Sequence, residues 1–192
     1  ALAPSQVLDD PHFQIPHRSV TEDEILQIVR AFGDASRRAR EAGLDAVQIH
    51  GAHAYLLSQF LSPFTNRRTD SWGGSLQNRL RLHRQILMDI RSKVGEEYPV
   101  LIKIGVQDGF SGGLEFPEGR EASRFLSQWG YDSLEVSSGL RGAGYATSEF
   151  RTHVDRLDRE AYFRDWCKEI RRHVSCPIMM VGGLRTFRLI AE

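Results

Sequence analysis

Residues 45–55 read DAVQIHGAHAY. The first six, 45–50, predict a β-strand, because apolar and polar side chains alternate and successive side chains point to opposite faces. Val47 and Ile49 fall on one face; Ala46, Gln48 and His50 fall on the other. His50 then begins a short run, His50-Gly51-Ala52-His53-Ala54-Tyr55, at the strand's C-terminal end. Three side chains able to donate hydrogen bonds or move protons lie within six positions, and the small residues between them permit close approach.

On either side of this strand the chain alternates between helical and extended patterns. Residues 21–42 predict a helix: Thr21 and Glu24 form a capping box. Ile25, Ile28, Val29, Phe32, Ala35, Ala39 and Ala42 recur at helical spacing, and Gly43 follows as a left-handed terminator. A second helix is predicted over 76–94, with Ser75 as N-cap and Gly95 behind it. A third covers 118–129 before Gly130, a fourth 159–174, and a last begins near Thr186. Strands are predicted over 100–106, 133–138 and 177–181.

This alternation predicts an α/β fold of parallel strands joined by right-handed crossovers. The strand faces choose between the two architectures that satisfy it. Ile102 and Ile104 oppose Leu101, Lys103 and Gly105, and Leu134 and Val136 oppose Glu135 and Ser137. One face is apolar, while the other carries Gln48, His50, Lys103, Glu135 and Ser137. An open sheet with helices on both sides has two apolar faces. A polar second face fits the interior of a β/α barrel near its catalytic mouth.

Composition sets outer bounds. With 192 residues, 41% hydrophobic and 26% charged, the chain has material for a real core, which excludes a disordered protein. Twenty-five basic and 25 acidic residues balance, so no global field attracts nucleic acid or an anionic membrane. No apolar run spans a bilayer, since the run around 98–106 carries Lys103. Two cysteines, Cys167 and Cys176, make no disulfide framework, and Cys176, leading into an apolar run, reads as the buried thiol. No secretory signal is visible, and a reducing cytoplasm is expected. The first residue is Ala1 and the last, Glu192, closes a helix-like run, so a single barrel domain truncated at both ends is expected.

From the residues alone, three readings of His50 and His53 stay open: catalysis at a carbonyl oxygen with Tyr55 as proton donor, satisfied structural histidines, or a metal pair. Lys103 requires an anion, either Glu135 or an electron-rich cofactor. Gly182 and Gly183 open a strand-to-helix turn that either approaches an anion through backbone N–H groups or is an ordinary turn. Arg67, Arg68, Thr69 and Asp70 read as a loop braced by charge-assisted bonds, and Arg37, Arg38 and Arg40 as a solvated helix face. The long segment 139–158 is either a cover over substrate or a plain connection.

The segment HGAHAYLLSQFLSPFTNRRTDSWGGSLQNR, residues 50–79, resembles the Old Yellow Enzyme family, the NADH:flavin oxidoreductases. The resemblance extends more loosely from Ala3-Pro4-Ser5 to Val181-Gly182-Gly183. It implies a flavin-binding (β/α)8 barrel of which the chain carries about four parallel strands, the fourth to seventh. By that resemblance His50 and His53 bind the substrate carbonyl and Tyr55 is the proton donor. Lys103 stands where many members have Arg, beside the flavin pyrimidine edge. Ser137, Ser138, Gly182, Gly183 and Arg185 fall near the ribityl chain and phosphate.

The implied activity uses FMN, with NADH or NADPH as hydride donor, to reduce an activated alkene. The implied partner is a small molecule carrying such a double bond, with neither nucleic acid nor membrane involved. With half the strands, the chain alone is expected to hold FMN weakly or not at all. Two alternatives compete: a phosphate-binding barrel lyase or isomerase, and a non-catalytic half-barrel that self-associates into a homo-oligomer through its open edges.

Overall fold

A computed structural model describes residues 1–7, 15–141 and 151–191. Near the start, β1 (Leu2–Ala3) and β2 (Arg18–Ser19) form a two-stranded parallel pair. The main sheet is parallel, in the order β3 (Val47–Gly51), β4 (Val100–Gly105), β5 (Ser133–Ser137), β6 (Ile178–Met180). Sequential strands are spatial neighbours, as a β/α barrel requires, and the described residues hold four strands of that fold. The helices are α1 (Glu22–Glu41), α2 (Leu56–Leu61), α3 (Leu76–Arg79), α4 (Arg81–Val94), α5 (Phe116–Trp129), α6 (Arg164–Arg171) and α7 (Phe187–Ala191). A 3-10 turn, Leu157–Arg159, precedes α6.

α1 starts as its sequence requires. Thr21 accepts from the Glu24 N–H, and the Glu24 carboxylate accepts from the Thr21 N–H at 2.9 Å. Its buried stripe is Ile25, Val29, Gly33 and Ser36 rather than the alanines at 35 and 42, which are exposed. α1 packs on α4, and small residues at 33 and 36 let the two approach. A Cβ on Gly33 would collide with the Asp89 carboxylate, which pairs with Lys93 at 2.8 Å. The arginines at 37, 38 and 40 are exposed, as a solvated face should be.

Three sequence expectations change. The helix predicted over 76–94 is divided at Leu80, which caps both α3 and α4. There Arg79 turns into the protein and binds Leu61 O at 2.8 Å, Gly74 O at 2.6 Å and the Glu118 carboxylate at 2.7 Å. The helix predicted over 159–174 shrinks to α6, because Ala161 takes a left-handed φ of 50° and breaks the run. Cys167, not Cys176, is the buried thiol, and burial pushes it up to about 11. In addition the periodicity gave no sign of α2, which buries Leu57, Phe60 and Leu61.

The core lies between the sheet and its helices. Ile49, Ile102, Ile104, Leu134 and Val136 are buried on that side with Ile86, Ile90, Ala122 and Leu126. Stacked rings of Phe116, Trp166 and Phe163 join α5 to α6. Among the described residues no helix is long and apolar enough to cross a membrane.

His83 is the core's anomaly. It is fully buried on α4, and neither ring nitrogen has a partner among the described residues. Burial alone drives its pKa down to about 3, against about 6.5 for a free imidazole. The unfolded chain therefore binds a proton between those values that the folded chain refuses. Stability present above pH 6.5 is lost as pH falls, at up to about 1.4 kcal/mol per pH unit from this group. Urea unfolding of His83→Leu should show a higher midpoint at pH 5 than the parent chain. The gain should be smaller at pH 8, where His83 is neutral in both states. Equal gains at the two pH values would contradict this account.

Candidate active site

Because β3–β6 run parallel, their C-terminal ends share one edge of the sheet, and the chemistry-bearing residues sit there or on the polar face below it. In register, His50, Lys103 and Glu135 form one row across β3, β4 and β5. The Lys103 ammonium meets Glu135 Oε1 at 2.8 Å, and Gln48 Nε2 donates to Glu135 Oε2 at 2.6 Å. Glu135 is buried, so both carboxylate oxygens are compensated where water is scarce. The polar face read from the alternation is thus internally bonded.

His50 is half-buried, and its ring centroid lies 4.9 Å from those of both His53 and Tyr55. Burial lowers the His50 pKa, the Lys103 cation lowers it further and Glu135 opposes them. His50 is therefore held neutral near pH 7, able to donate one N–H. His53 follows two residues past the strand edge, and both it and Ala54 take left-handed φ values, 58° and 61°. That conformation is uncommon for residues with a Cβ. β5 helps to hold it: the His53 N–H donates to Ser138 O at 3.2 Å, and His53 Nε2 lies 2.8 Å from Ser137 Oγ. The turn delivers Tyr55 to the N-cap of α2, where it is 61% exposed and open to a bound molecule.

The other expected cofactor residues divide. Lys103 and Ser138 fit a flavin: one places a cation on the polar face, and the other has a buried Oγ with no partner among the described residues. Ser137 is occupied by His53. At the end of β6, Gly182 and Gly183 have φ of 106° and 71°, but Tyr162 lies against them, within 3.0 Å of where either Cβ would sit. The Arg185 and Thr186 N–H groups donate to Glu160 Oε2 at 2.9 and 2.8 Å, and the Arg185 guanidinium bonds Val154 O. The anion facing this turn is therefore the protein's own Glu160. A phosphate bound at this turn would have to displace Glu160 from the Arg185 and Thr186 N–H groups. A cavity of about 630 Å³ nearby is lined by Arg151, Val154, Glu160, Tyr162 and Asp165, not by His50, Tyr55 or Lys103.

Sequence reasoning passed over Asp108, just beyond β4. This buried carboxylate accepts from Ser62 Oγ at 2.6 Å, Leu114 N at 2.7 Å and Leu140 N at 2.6 Å. It ties the segments after α2, β4 and β5 together at the mouth. Its signal was an acid between apolar Val106 and the glycines at 109, 112 and 113, which also reads as an ordinary turn. The Arg68–Asp70 brace is present at 2.6 Å, and Arg68 also donates to Pro4 O and Val20 O. Of the segment 139–158, residues 142–150 lie outside the described residues, as does any covering role for them. Among the described residues no cluster of metal-ligating side chains forms.

Comparison with known proteins bears on this site. Residues 3–188 match the NADH:flavin oxidoreductase / NADH oxidase family. The chain belongs to that family. An NADPH dehydrogenase of Clostridium acetobutylicum is 42% identical over 191 residues, covering all of the chain and 53% of that protein. A cinnamate reductase of Clostridium sporogenes is 34% identical over the whole chain and 30% of its own length. A solved 2-naphthoyl-CoA reductase in complex with 2-naphthoyl-CoA superimposes with a TM-score of 0.80 at 27% identity, over 92% of the chain and 26% of that protein. The chain spans about a third to a half of these two curated relatives, and the fold of the family's flavoenzymes is the (β/α)8 barrel.

Asp108 gives the sharpest test of how the mouth is built. Asp108→Ala leaves three donors buried without an acceptor, at about 1–3 kcal/mol each before relaxation. We expect a loss of about 3 kcal/mol in urea unfolding and faster proteolysis near residues 109–114. A loss below about 1 kcal/mol would show that the three segments hold without it.

Proposed function

We propose that this chain forms one wall of an FMN-dependent oxidoreductase that uses NADH or NADPH to reduce an activated alkene. The observation that carries this reading is the grouping of His50, His53 and Tyr55 at the end of β3, with the Lys103 cation in the next position of the same row. Family membership supports the flavin and the nicotinamide, and the cinnamate reductase relative is named for a substrate whose double bond is conjugated to a carboxyl group.

FMN would lie against the polar face beside Lys103 and Ser138, and when bound it supplies hydride transfer from the nicotinamide to the alkene β-carbon. The work of this chain's residues follows from their positions. His50, neutral at pH 7, donates an N–H to the activating carbonyl oxygen, where negative charge grows as the double bond is reduced. His53 converges on the same oxygen from the turn that Ser137 and Ser138 hold. Two donors aimed at a developing oxyanion stabilise the transition state more than the ground state. The exposed Tyr55 hydroxyl gives its proton to the α-carbon. With the flavin bound, the Lys103 ammonium would place positive charge beside the electron-rich ring and would favour negative charge there. A lysine lacks the planar fork of an arginine, so it acts here as a point charge.

Two substitutions in the whole protein test the roles. Tyr55→Phe should slow alkene reduction on the order of 10²-fold or more while flavin reduction by NADH or NADPH stays nearly unchanged. Stopped-flow traces in which both steps slow alike would remove Tyr55 from the proton transfer. His50→Ala should weaken binding of a phenol, whose phenolate oxygen mimics the enolate, about tenfold or more; an unchanged phenol titration would contradict the donor role.

A further inference from the structure

The carboxylate of Glu135 lies beside the reacting groups and has no part in the chemistry described above. Both of its oxygens are engaged, Oε1 by the Lys103 ammonium at 2.8 Å and Oε2 by Gln48 Nε2 at 2.6 Å. The three residues come from three adjacent strands, β3, β4 and β5. Lys103 is the direct register partner of both His50 and Glu135, so cation and anion stand in the row that begins with the imidazole. Glu135 is only 8% exposed, and a carboxylate so placed acts on its neighbours through a medium that screens poorly.

We propose that Glu135, anchored by Gln48, is a positioning residue that holds the Lys103 ammonium in the His50 row and offsets that cation's field at the imidazole. The proposal goes beyond the alkene-reduction reading, and rests on it only for what His50 is poised to do. Among the described residues, the charged and titratable groups that act on or touch His50 are Lys103 of β4, Glu135 of β5, and His53 and Tyr55 of its own segment. Burial and Lys103 push its pKa down, and Glu135 pushes it up. The two strand charges therefore act on one ring with opposite sign. An unopposed Lys103 would disfavour the imidazolium more strongly. It would also leave a half-buried ammonium without its acceptor, free to leave its place in the His50 row.

The arrangement makes a signed prediction. NMR titration of the His50 ring in the cofactor-free chain reads it directly. Glu135→Gln keeps the shape and removes the anion, so the His50 midpoint should fall by about half a pH unit, a threefold change in its ionisation constant. Lys103→Gln removes the cation and should raise the midpoint by a similar amount. The double variant should return close to the parent value, and Glu135→Asp, which keeps the charge, should stay near it. A purely structural role for Glu135 would alter stability without moving His50 in opposite directions in the two single variants.

An unchanged or raised midpoint in Glu135→Gln would overturn the proposal. If that variant does not fold, Lys103→Gln decides, and an unchanged midpoint there would overturn it equally. No flavin, nicotinamide or alkene enters the measurement. A failure of the alkene-reduction reading would show in the kinetics and leave this titration untouched, and the converse also holds.

Discussion

A carboxylate buried on the polar face of a parallel sheet constrains most of what surrounds it. Glu135 cannot be placed there as an ion without compensation. Lys103 supplies it from the adjacent strand β4 and Gln48 from β3 one strand further on, so three strands are bound by side chains as well as by their backbone ladders. Such a bridge adds little net stability, because desolvating the ions offsets most of their attraction. What it supplies is placement. The ammonium is fixed in the His50 row, the face stays polar, and this side of the sheet cannot close over an apolar core. The opposite face, with Ile49, Ile102, Ile104, Leu134 and Val136, carries the burial that holds the strands to their helices.

The mouth uses the same device a second time. Asp108 gathers a hydroxyl and two backbone N–H groups from three segments, and burial raises its pKa against those hydrogen bonds, which lower it. Beside it, Ser137 and Ser138 hold the left-handed turn at His53 and Ala54. Rigid parts surround the reactive ones: Asp108 and the β5 serines are buried, while His50 and His53 are half-buried and Tyr55 is exposed. Donors for a developing charge are most effective when they are oriented before the reaction begins, because no reorganisation then accompanies it.

The fold was legible where local pattern and tertiary demand agree. Alternation along 45–50, 100–106 and 133–138 announced both the strands and their polar face, and the capping box at Thr21 and Glu24 marked the start of α1. Legibility failed where a distant partner overrides the local pattern. Nothing near Arg79 announces that its guanidinium will be drawn into the protein by Leu61, Gly74 and Glu118, which accompanies the break at Leu80. The helical periodicity around 159–163 gave no sign of the left-handed residue at Ala161. In the site, the grouping of His50, His53 and Tyr55 was readable because all three lie in one short segment. The engagement of Arg185 and Thr186 with Glu160 was not, since those residues are about 25 positions apart and each has a simpler local reading.

In the proposed reaction one oxygen of the substrate is received by His50 and His53, with the flavin beside Lys103. A crystal structure of the whole protein with FMN and a para-substituted phenol would test it most directly. The phenolate oxygen is expected within about 2.6–3.2 Å of a ring nitrogen of each histidine, over the flavin, with the Lys103 ammonium at the flavin's edge. A phenol bound away from both histidines, or a flavin lying away from the row of His50, Lys103 and Glu135, would contradict it.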